Sequence, residues 1–334
     1  MSYYHITTNQ QSRRGFTLVE LLVVIVIIGI LASLAFVGGR EAIRAVRRGI
    51  IKNEISQVNM ALESYKQNYG EYPPDFSDEA AVMRHVRKRW PNWQDSPKSF
   101  DEFCNMVEES TRKLIIQYEL DPNWVYLFDC PDDHNNHNAH EIKSPAAHIG
   151  ALAFWLGGLP DQTGMLSGFS ANVADPLGLK SDITQRDKDS QFMELLIGNN
   201  CTIVDGLPVI MANGFPIAYF KPNAAGKYIQ KDFASESLCF HSTFSGNWSV
   251  ENMGIAVPYA KSGASADAAV WHNPKSYQLI HPGLDGQFSV AEKDLKFNEF
   301  RVIDPAKDVK VNCTLQDNDN QANFGGTTIE SAGN

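Results

Sequence analysis

The sequence lacks the patterns that mark the common enzyme classes and the nucleic-acid-binding proteins. It contains no Gly-x-Ser-x-Gly, His-Glu-x-x-His or Gly-x-x-x-x-Gly-Lys-Ser/Thr motif, and no Gly-x-Gly-x-x-Gly after a strand pattern. Nucleophile elbows, zinc proteases and phosphate loops are therefore not indicated. Its formal net charge is −10, whereas nucleic acid requires a basic patch. We expect a protein that is not an enzyme and has no nucleic-acid partner.

Paired metal-binding or redox cysteines are also lacking. None of the five cysteines forms a Cys-x-x-Cys pair, and they are spread along the chain at Cys104, Cys130, Cys201, Cys239 and Cys313. In an exported protein they could form up to two disulfides and leave one thiol. Scattered buried cysteines fit the sequence equally well, and the spacing does not decide between the two interpretations.

Charge is absent over 17 consecutive residues near the start, residues 21–37. With residues 16–19 in front, this apolar run reaches the roughly 20 residues that span a hydrocarbon core. An ordinary secretory signal has small residues at a cleavage site behind its apolar run. Here Arg13-Arg14-Gly15 stands before the run, and Glu20 is the one charge between that glycine and residue 37.

In the stretch RRGFTLVE, residues 13–20, and the apolar run behind it, the chain resembles the type IV prepilins and the pseudopilins of type II secretion. Residues 52–74, which end in SYKQNYGEYPP, look particularly like the major pseudopilin branch. The resemblance implies that a prepilin peptidase cleaves between Gly15 and Phe16 and methylates the new amine of Phe16. It also implies a single-pass inner-membrane anchor with its N-terminus cytoplasmic and its head periplasmic, delivered by an assembly platform into a filament.

Glu20 has two interpretations. A carboxylate at mid-bilayer costs about 2.5–3.5 kcal/mol on insertion scales, so by default it marks function. Glu20 lies only about 6 Å of helix rise past Phe16, and it could simply complement the helix dipole in the first turn. The resemblance implies instead that Glu20 pairs with the Phe16 amine of a neighbouring subunit.

The orientation in the membrane rests on the leader motif. The basic residues that follow the apolar run would, if counted alone, predict the opposite orientation, and the leader motif takes precedence over that count.

The fold class that we expect is α+β and type IV pilin-like, with a long N-terminal helix packed on a C-terminal antiparallel sheet. Apolar residues recur at helical spacing from Ile51 to Tyr69, and Gly70 ends the pattern. Ser99 to Glu102 form a capping-box pattern, and Asn213-Gly214 is a hairpin signal. We expect four regions: a leader at 1–15, a helix at 16–70 with its membrane part at about 18–38, a mostly helical insertion at 71–206, and a β head at 207–334.

Two segments carry candidate metal ligands. Residues 317–324 (DNDNQANF) place oxygen ligands at alternate positions, which suits a hard cation. They resemble the calcium-binding acidic loop of major pseudopilins, which implies a calcium site at Asp317 and Asp319, with Asp285 from a Gly-x-Asp-Gly-like turn. A disordered acidic tail remains the alternative. In the second segment the ligand types of His134, His137 and His140 suit a transition metal, but a solvated polar loop is the favoured interpretation.

Two functions of different class follow. The first is a structural pilin or pseudopilin subunit that polymerises through its N-terminal helix with other subunits, in a pseudopilus in the periplasm or a pilus at the cell surface. The second is a membrane-tethered exported binding protein or enzyme that uses a pilin-like leader. We favour the first. The sequence leaves open whether the subunit is major or minor and what the insertion does.

Overall fold

The computed structural model describes residues 16–120, 146–181, 183–204, 207–228, 253, 256–263, 268–288, 301–304, 309–311 and 320–324. The chain divides into two units, Met1–Val46 and Arg47–Asn334. The architecture is α+β, with a long N-terminal helix and small, mainly antiparallel sheets. The predicted class is therefore confirmed at this level. Within the described part of the chain, no helix is long and apolar enough to cross a membrane.

Helix α1 (Leu18–Tyr69) contains 52 residues. The predicted apolar stripe is confirmed, since Ile51, Val58, Leu62 and Tyr65 are fully buried. The helix ends where Gly70 adopts a φ of +77°, and the Gly70 amide donates to the carbonyl of Lys66 at 2.7 Å. Glycine suits this position because the left-handed region carries no Cβ penalty there.

Three further helices follow: α2 (Glu79–Arg89), α3 (Phe100–Tyr118) and α4 (Ala146–Gly157). The Ser99 hydroxyl caps α3 by accepting from the Glu102 amide at 3.2 Å. The Glu102 carboxylate accepts a hydrogen bond from the Lys98 amide at 2.7 Å. In the standard capping box it would accept from the amide of the N-cap residue, which here is Ser99. The predicted start of α3 is confirmed. Helix α4 ends at Gly157, and the next residue, Gly158, has a φ of +83°.

The strands are short. They are β1 (Phe169–Ser170), β2 (Arg186–Asp187), β3 (Cys201–Val204), β4 (Leu207–Ala212), β5 (Phe215–Pro216), β6 (Ala218–Phe220), β7 (Tyr259–Ser262), β8 (Val270–Trp271), β9 (Gln278–His281), β10 (Arg301–Asp304), β11 (Val309–Val311) and β12 (Gln321–Ala322). A 3-10 turn, Lys188–Ser190, follows β2. The sheets have the orders β1-β2, β3-β4-β5, β12-β9-β6 and β11-β10-β7-β8.

The strand arrangement differs from the single antiparallel sheet that we expected. Among the described strands there are four sheets, and β7 and β10 pair in parallel. One physical reason lies at Pro216, which lacks an amide hydrogen and ends β5 at the edge of its sheet. The chain then enters β6, which pairs with β9 instead.

The predicted hairpin at Asn213-Gly214 is confirmed between β4 and β5. Both turn residues have positive φ, +45° for Asn213 and +84° for Gly214. This is the backbone that a two-residue type I′ turn requires, and it explains why the dipeptide predicted the hairpin. The Asn213 amide also donates to the carboxylate of Glu54 at 2.8 Å, which attaches the hairpin to α1.

One hydrophobic core joins the helices and the strands of the second unit. Helix α4 packs against β4 and β6, and its Phe154 and Trp155 side chains are fully buried. Phe103 of α3 contacts both rings. The described helices of region 71–206 therefore share a core with the β head.

Candidate functional site

The start of α1 is a capping box built from Thr17 and Glu20. The Thr17 hydroxyl accepts from the Glu20 amide at 3.2 Å. In return, Glu20 Oε2 accepts from the Thr17 amide and the Thr17 hydroxyl, both at 2.8 Å. Sequence analysis identified Glu20 but missed Thr17, although Thr-x-x-Glu before an apolar run is the signature of this motif. Of the predicted cleavage residues, Phe16 is exposed and Gly15 lies outside the described residues.

The first turns of α1 expose apolar side chains in every direction around the helix axis. Each large apolar residue from Leu18 to Leu31 is at least 42% exposed. There are twelve of them: Leu18, Val19, Leu21, Leu22, Val23, Val24, Ile25, Val26, Ile27, Ile28, Ile30 and Leu31. A helix that is hydrophobic all round is normally buried in a protein or in a membrane. The described part of the chain leaves this surface uncovered.

The structure describes one of the three predicted calcium ligands. Asp285 is exposed, and its Oδ1 accepts from the Gln287 amide at 2.9 Å. Asp317 and Asp319 lie outside the described residues, as do His134, His137 and His140. Within the described ranges, no group of three or more His, Cys, Asp or Glu side chains is placed to hold a metal ion. The calcium site and the histidine loop stay predictions.

Asn320, directly after Asp319, is fully buried. Its Nδ2 donates to the hydroxyl of Tyr259 at 2.9 Å and to the carbonyl of Phe288 at 2.8 Å. Its Oδ1 is buried and has no donor among the described residues. A buried acceptor without a partner is costly and needs an explanation. The contact with Phe288 also places Asn320 beside the segment that follows Asp285.

A buried hydrogen-bonded chain, missed by sequence analysis, connects the end of α1 to α2. His85 Nδ1 is 2.7 Å from Glu71 Oε1, and His85 Nε2 is 2.6 Å from the Tyr65 hydroxyl. Arg89 Nη1 donates to the same hydroxyl at 2.8 Å. The Tyr65 hydroxyl thus accepts from Arg89 and donates to His85 Nε2. The single ring proton of neutral His85 is therefore on Nδ1, which donates it in a hydrogen bond to the Glu71 carboxylate.

Burial lowers the pKa of His85 to about 4, and the nearby Arg89 cation acts in the same direction, so His85 is neutral at pH 7. The hydrogen bond from His85 is the main cause that lowers the pKa of Glu71 to about 2, and the Lys221 and Lys88 cations add to it. The 2.7 Å contact is accordingly a hydrogen bond from a neutral imidazole to a carboxylate. It becomes an ion pair only in acid.

Arg89 lies in a cage of aromatic rings. Its guanidinium carbon is 4.5–5.5 Å from five ring centroids: Tyr65, Tyr69, Trp90, Trp155 and Phe169. Such contacts are attractive because the guanidinium meets the negative faces of the rings. Arg89 Nε and Nη2 are buried without a hydrogen-bond partner among the described residues. Arg89 thereby connects α1, α2 and α4 in one buried cluster.

The N-terminal segment matches a known family model. Residues 10–36 match the prokaryotic N-terminal methylation motif. The chain is also 43% identical over 67 residues to the type II secretion system core protein G of Klebsiella michiganensis, which covers 19% of this chain and 45% of the relative. In its N-terminal segment, the chain is similar to the type II secretion core proteins G and carries the methylation motif.

A second relative with the same name is similar over a longer stretch. The core protein G of Pectobacterium carotovorum is 37% identical over 91 residues, which is 26% of this chain and 53% of the relative. The chain thus spans about half the length of the curated relatives it matches. No solved structure matches the chain.

Proposed function

We propose that this chain is a structural subunit that polymerises through its N-terminal helix in a type II secretion pseudopilus or a type IV pilus. In this proposal a prepilin peptidase cleaves between Gly15 and Phe16 and methylates Phe16. The observation that carries the proposal is the N-terminal part of α1, where twelve exposed apolar residues surround a single carboxylate. The match of residues 10–36 to the methylation motif supports it.

The exposed apolar surface of this helix favours burial, first in a bilayer and then among the helices of neighbouring subunits. Burial of one large apolar side chain contributes about 1.5–3 kcal/mol, so twelve exposed side chains make water a poor solvent for this segment. The apolar run of residues 21–37 has no charge, and together with residues 16–19 it has about the length that crosses a hydrocarbon core. A bilayer would cover the helix before assembly, and the helices of neighbouring subunits would cover it afterwards.

Glu20 is the group that we assign to assembly. Its Oε2 caps its own helix through Thr17, while Oε1 makes no hydrogen bond to a described residue. Cleavage would create a cationic amine at Phe16, next to the Thr17 cap. An amine of a neighbouring subunit could pair with Oε1 in an apolar bundle, where attraction between charges is strong because the local dielectric is low. One carboxylate then serves the cap and the contact between subunits.

Two variants separate the cap from the intersubunit pair. Glu20→Ala removes the carboxylate, whereas Thr17→Ala removes the cap hydroxyl and keeps the carboxylate. We expect both to fractionate with membranes, and we expect cross-linked multimers to be lost only in Glu20→Ala, when each variant is expressed with the assembly machinery. Normal multimers in Glu20→Ala would show that Glu20 only caps the helix. Equal loss in both variants would assign the defect to the cap.

We also propose that calcium binds the C-terminal loop through Asp317 and Asp319, with Asp285. The support from the structure is the orphaned Oδ1 of buried Asn320, since calcium takes six to eight oxygen ligands that include side-chain amides. Asn320 is also tied to Phe288, three residues after Asp285. The oxygen-rich donor set fits a hard cation, which would neutralise the clustered carboxylates.

A further inference from the structure

An open pocket of about 640 Å³ lies in the second unit, and nothing in the proposed function uses it. Its volume falls within the range of roughly 300–1,000 Å³ that is usual for ligand sites. The walls come from the end of α1, the segment between α1 and α2, the first turns of α2, the loop after β6 and the loop before β9. Apolar wall residues include Tyr72, Pro74, Ala81, Pro222, Ala224 and Pro274.

The acidic side chains of this pocket are already engaged. Glu71 binds His85 at 2.7 Å and lies 3.6 Å from Lys88. Asp75 accepts from the amide and the hydroxyl of Ser77 through Oδ1, and from the Lys221 amide through Oδ2. Asp78 caps α2. These carboxylates therefore have internal partners and are poorly placed to receive a cationic ligand.

Four basic side chains line the pocket. Lys66 donates to the Tyr72 hydroxyl at 3.3 Å, whereas the other three have donors left for a ligand. Arg84 and Lys275 are exposed at the rim, and neither makes a hydrogen bond or ion pair within the described part of the chain. Lys221 is half-buried, and its Nζ donates to the carbonyl of Tyr72 at 2.7 Å, which leaves two further donor positions. Burial lowers the pKa of Lys221, with Glu71 and Asp75 opposing the shift. An entering anion would stabilise its charged form.

We propose that this pocket binds carboxylate groups through Arg84, Lys221 and Lys275, as an acidic peptide segment would present them. Carboxylate is favoured over phosphate because the α2 N-terminus, which could otherwise bind phosphate, is closed by the Asp78 cap. The proline and alanine walls suit the apolar parts of a polypeptide between its carboxylates. The proposal is independent of filament assembly.

The test uses the full chain in detergent micelles and a fluorescent hexaglutamate peptide, with hexaglutamine as the uncharged control, followed by fluorescence anisotropy. The pocket variant is Arg84→Gln/Lys275→Gln. The matched control is Arg87→Gln/Lys261→Gln, since Arg87 is exposed on the same helix, Lys261 is exposed elsewhere, and neither lines the pocket. Both double variants change the net charge equally. Citrate and inorganic phosphate serve as unlabelled competitors.

We expect hexaglutamate to bind and hexaglutamine not to bind. We also expect affinity to fall at least tenfold in the pocket variant and to stay within twofold in the control. If citrate competes with an affinity equal to that of hexaglutamate, small carboxylates are ligands of the pocket. Weaker competition by citrate would favour a peptide as the ligand. Three results would overturn the proposal: equal losses in the two double variants, binding of hexaglutamine, or competition by phosphate as strong as that by citrate.

Discussion

His85 should make the stability of the protein fall as the pH falls below 7. The group is buried, and its pKa drops from 6.5 to about 4 in the folded chain. The unfolded chain therefore takes up a proton near pH 6.5, whereas the folded chain resists it until about pH 4. Because the unfolded state binds more protons in this window, the free energy of unfolding decreases between pH 6.5 and 4 and is unaffected above it.

The magnitude follows from the two pKa values. One pKa unit corresponds to about 1.4 kcal/mol, so His85 alone should remove roughly 2 kcal/mol between pH 7 and pH 5. His281 is buried with a pKa of about 4 as well, because burial outweighs its hydrogen bond to the Ala212 carbonyl. The two histidines should together remove roughly 4 kcal/mol. Glu71 contributes little above pH 5, because its pKa is 4.5 in the unfolded chain and about 2 in the folded chain.

Urea unfolding of the full chain in detergent at pH 7, 6 and 5 measures this slope. His85→Gln should lower stability at pH 7, since it breaks the chain from Glu71 to Tyr65, yet it should lose only about half as much stability on acidification as the unsubstituted protein. His281→Gln is the matched control and should halve the slope in the same way. An unchanged slope in His85→Gln would show that His85 titrates as in the unfolded chain, and would refute the buried network.

Two further predictions concern backbone geometry and the metal. Gly158→Ala should destabilise the fold by at least about 2 kcal/mol in thermal melts. Gly158 has a positive φ, and an added Cβ would lie 2.5 Å from the Cα and the carbonyl oxygen of Gly168. The control is Gly49→Ala, a helical position with open space around it, which should be neutral or stabilising in the same melts. Calcium should raise the melting midpoint relative to a chelator, and an equal rise in Asp317→Ala/Asp319→Ala would contradict the site.

Local patterns predicted much of the helical part. The stripe from Ile51 to Tyr69, the stop at Gly70 and the Ser99 cap each depend on neighbours a few residues away, so the local sequence contains the signal. The Asn213-Gly214 turn was equally local. The sheets were predicted less well, because pairing partners such as β6 and β9 are distant in sequence and two-residue strands give almost no periodicity.

The side-chain networks show the same limit. Tyr65 was identified as a core residue by its spacing, but nothing in that spacing indicates that its hydroxyl meets His85 and Arg89. The aromatic cage also draws on Trp155 and Phe169, which are far along the chain. Thr17 is a different case, since its capping signal was present and was overlooked beside the more conspicuous Glu20. The pocket lined by Arg84, Lys221 and Lys275 likewise forms only when the loop after β6 approaches the end of α1.

The most direct test of the central claim is the N-terminus of the mature protein, determined by mass spectrometry of the chain purified from cells that contain a prepilin peptidase. The account predicts a chain that begins at Phe16, carries one methyl group on its amine and retains the apolar helix. Gly15→Val should block this processing. A chain that begins at Phe36, after the small residues Ser33 and Ala35, would identify cleavage by signal peptidase and would contradict the assignment as a pilin-like subunit.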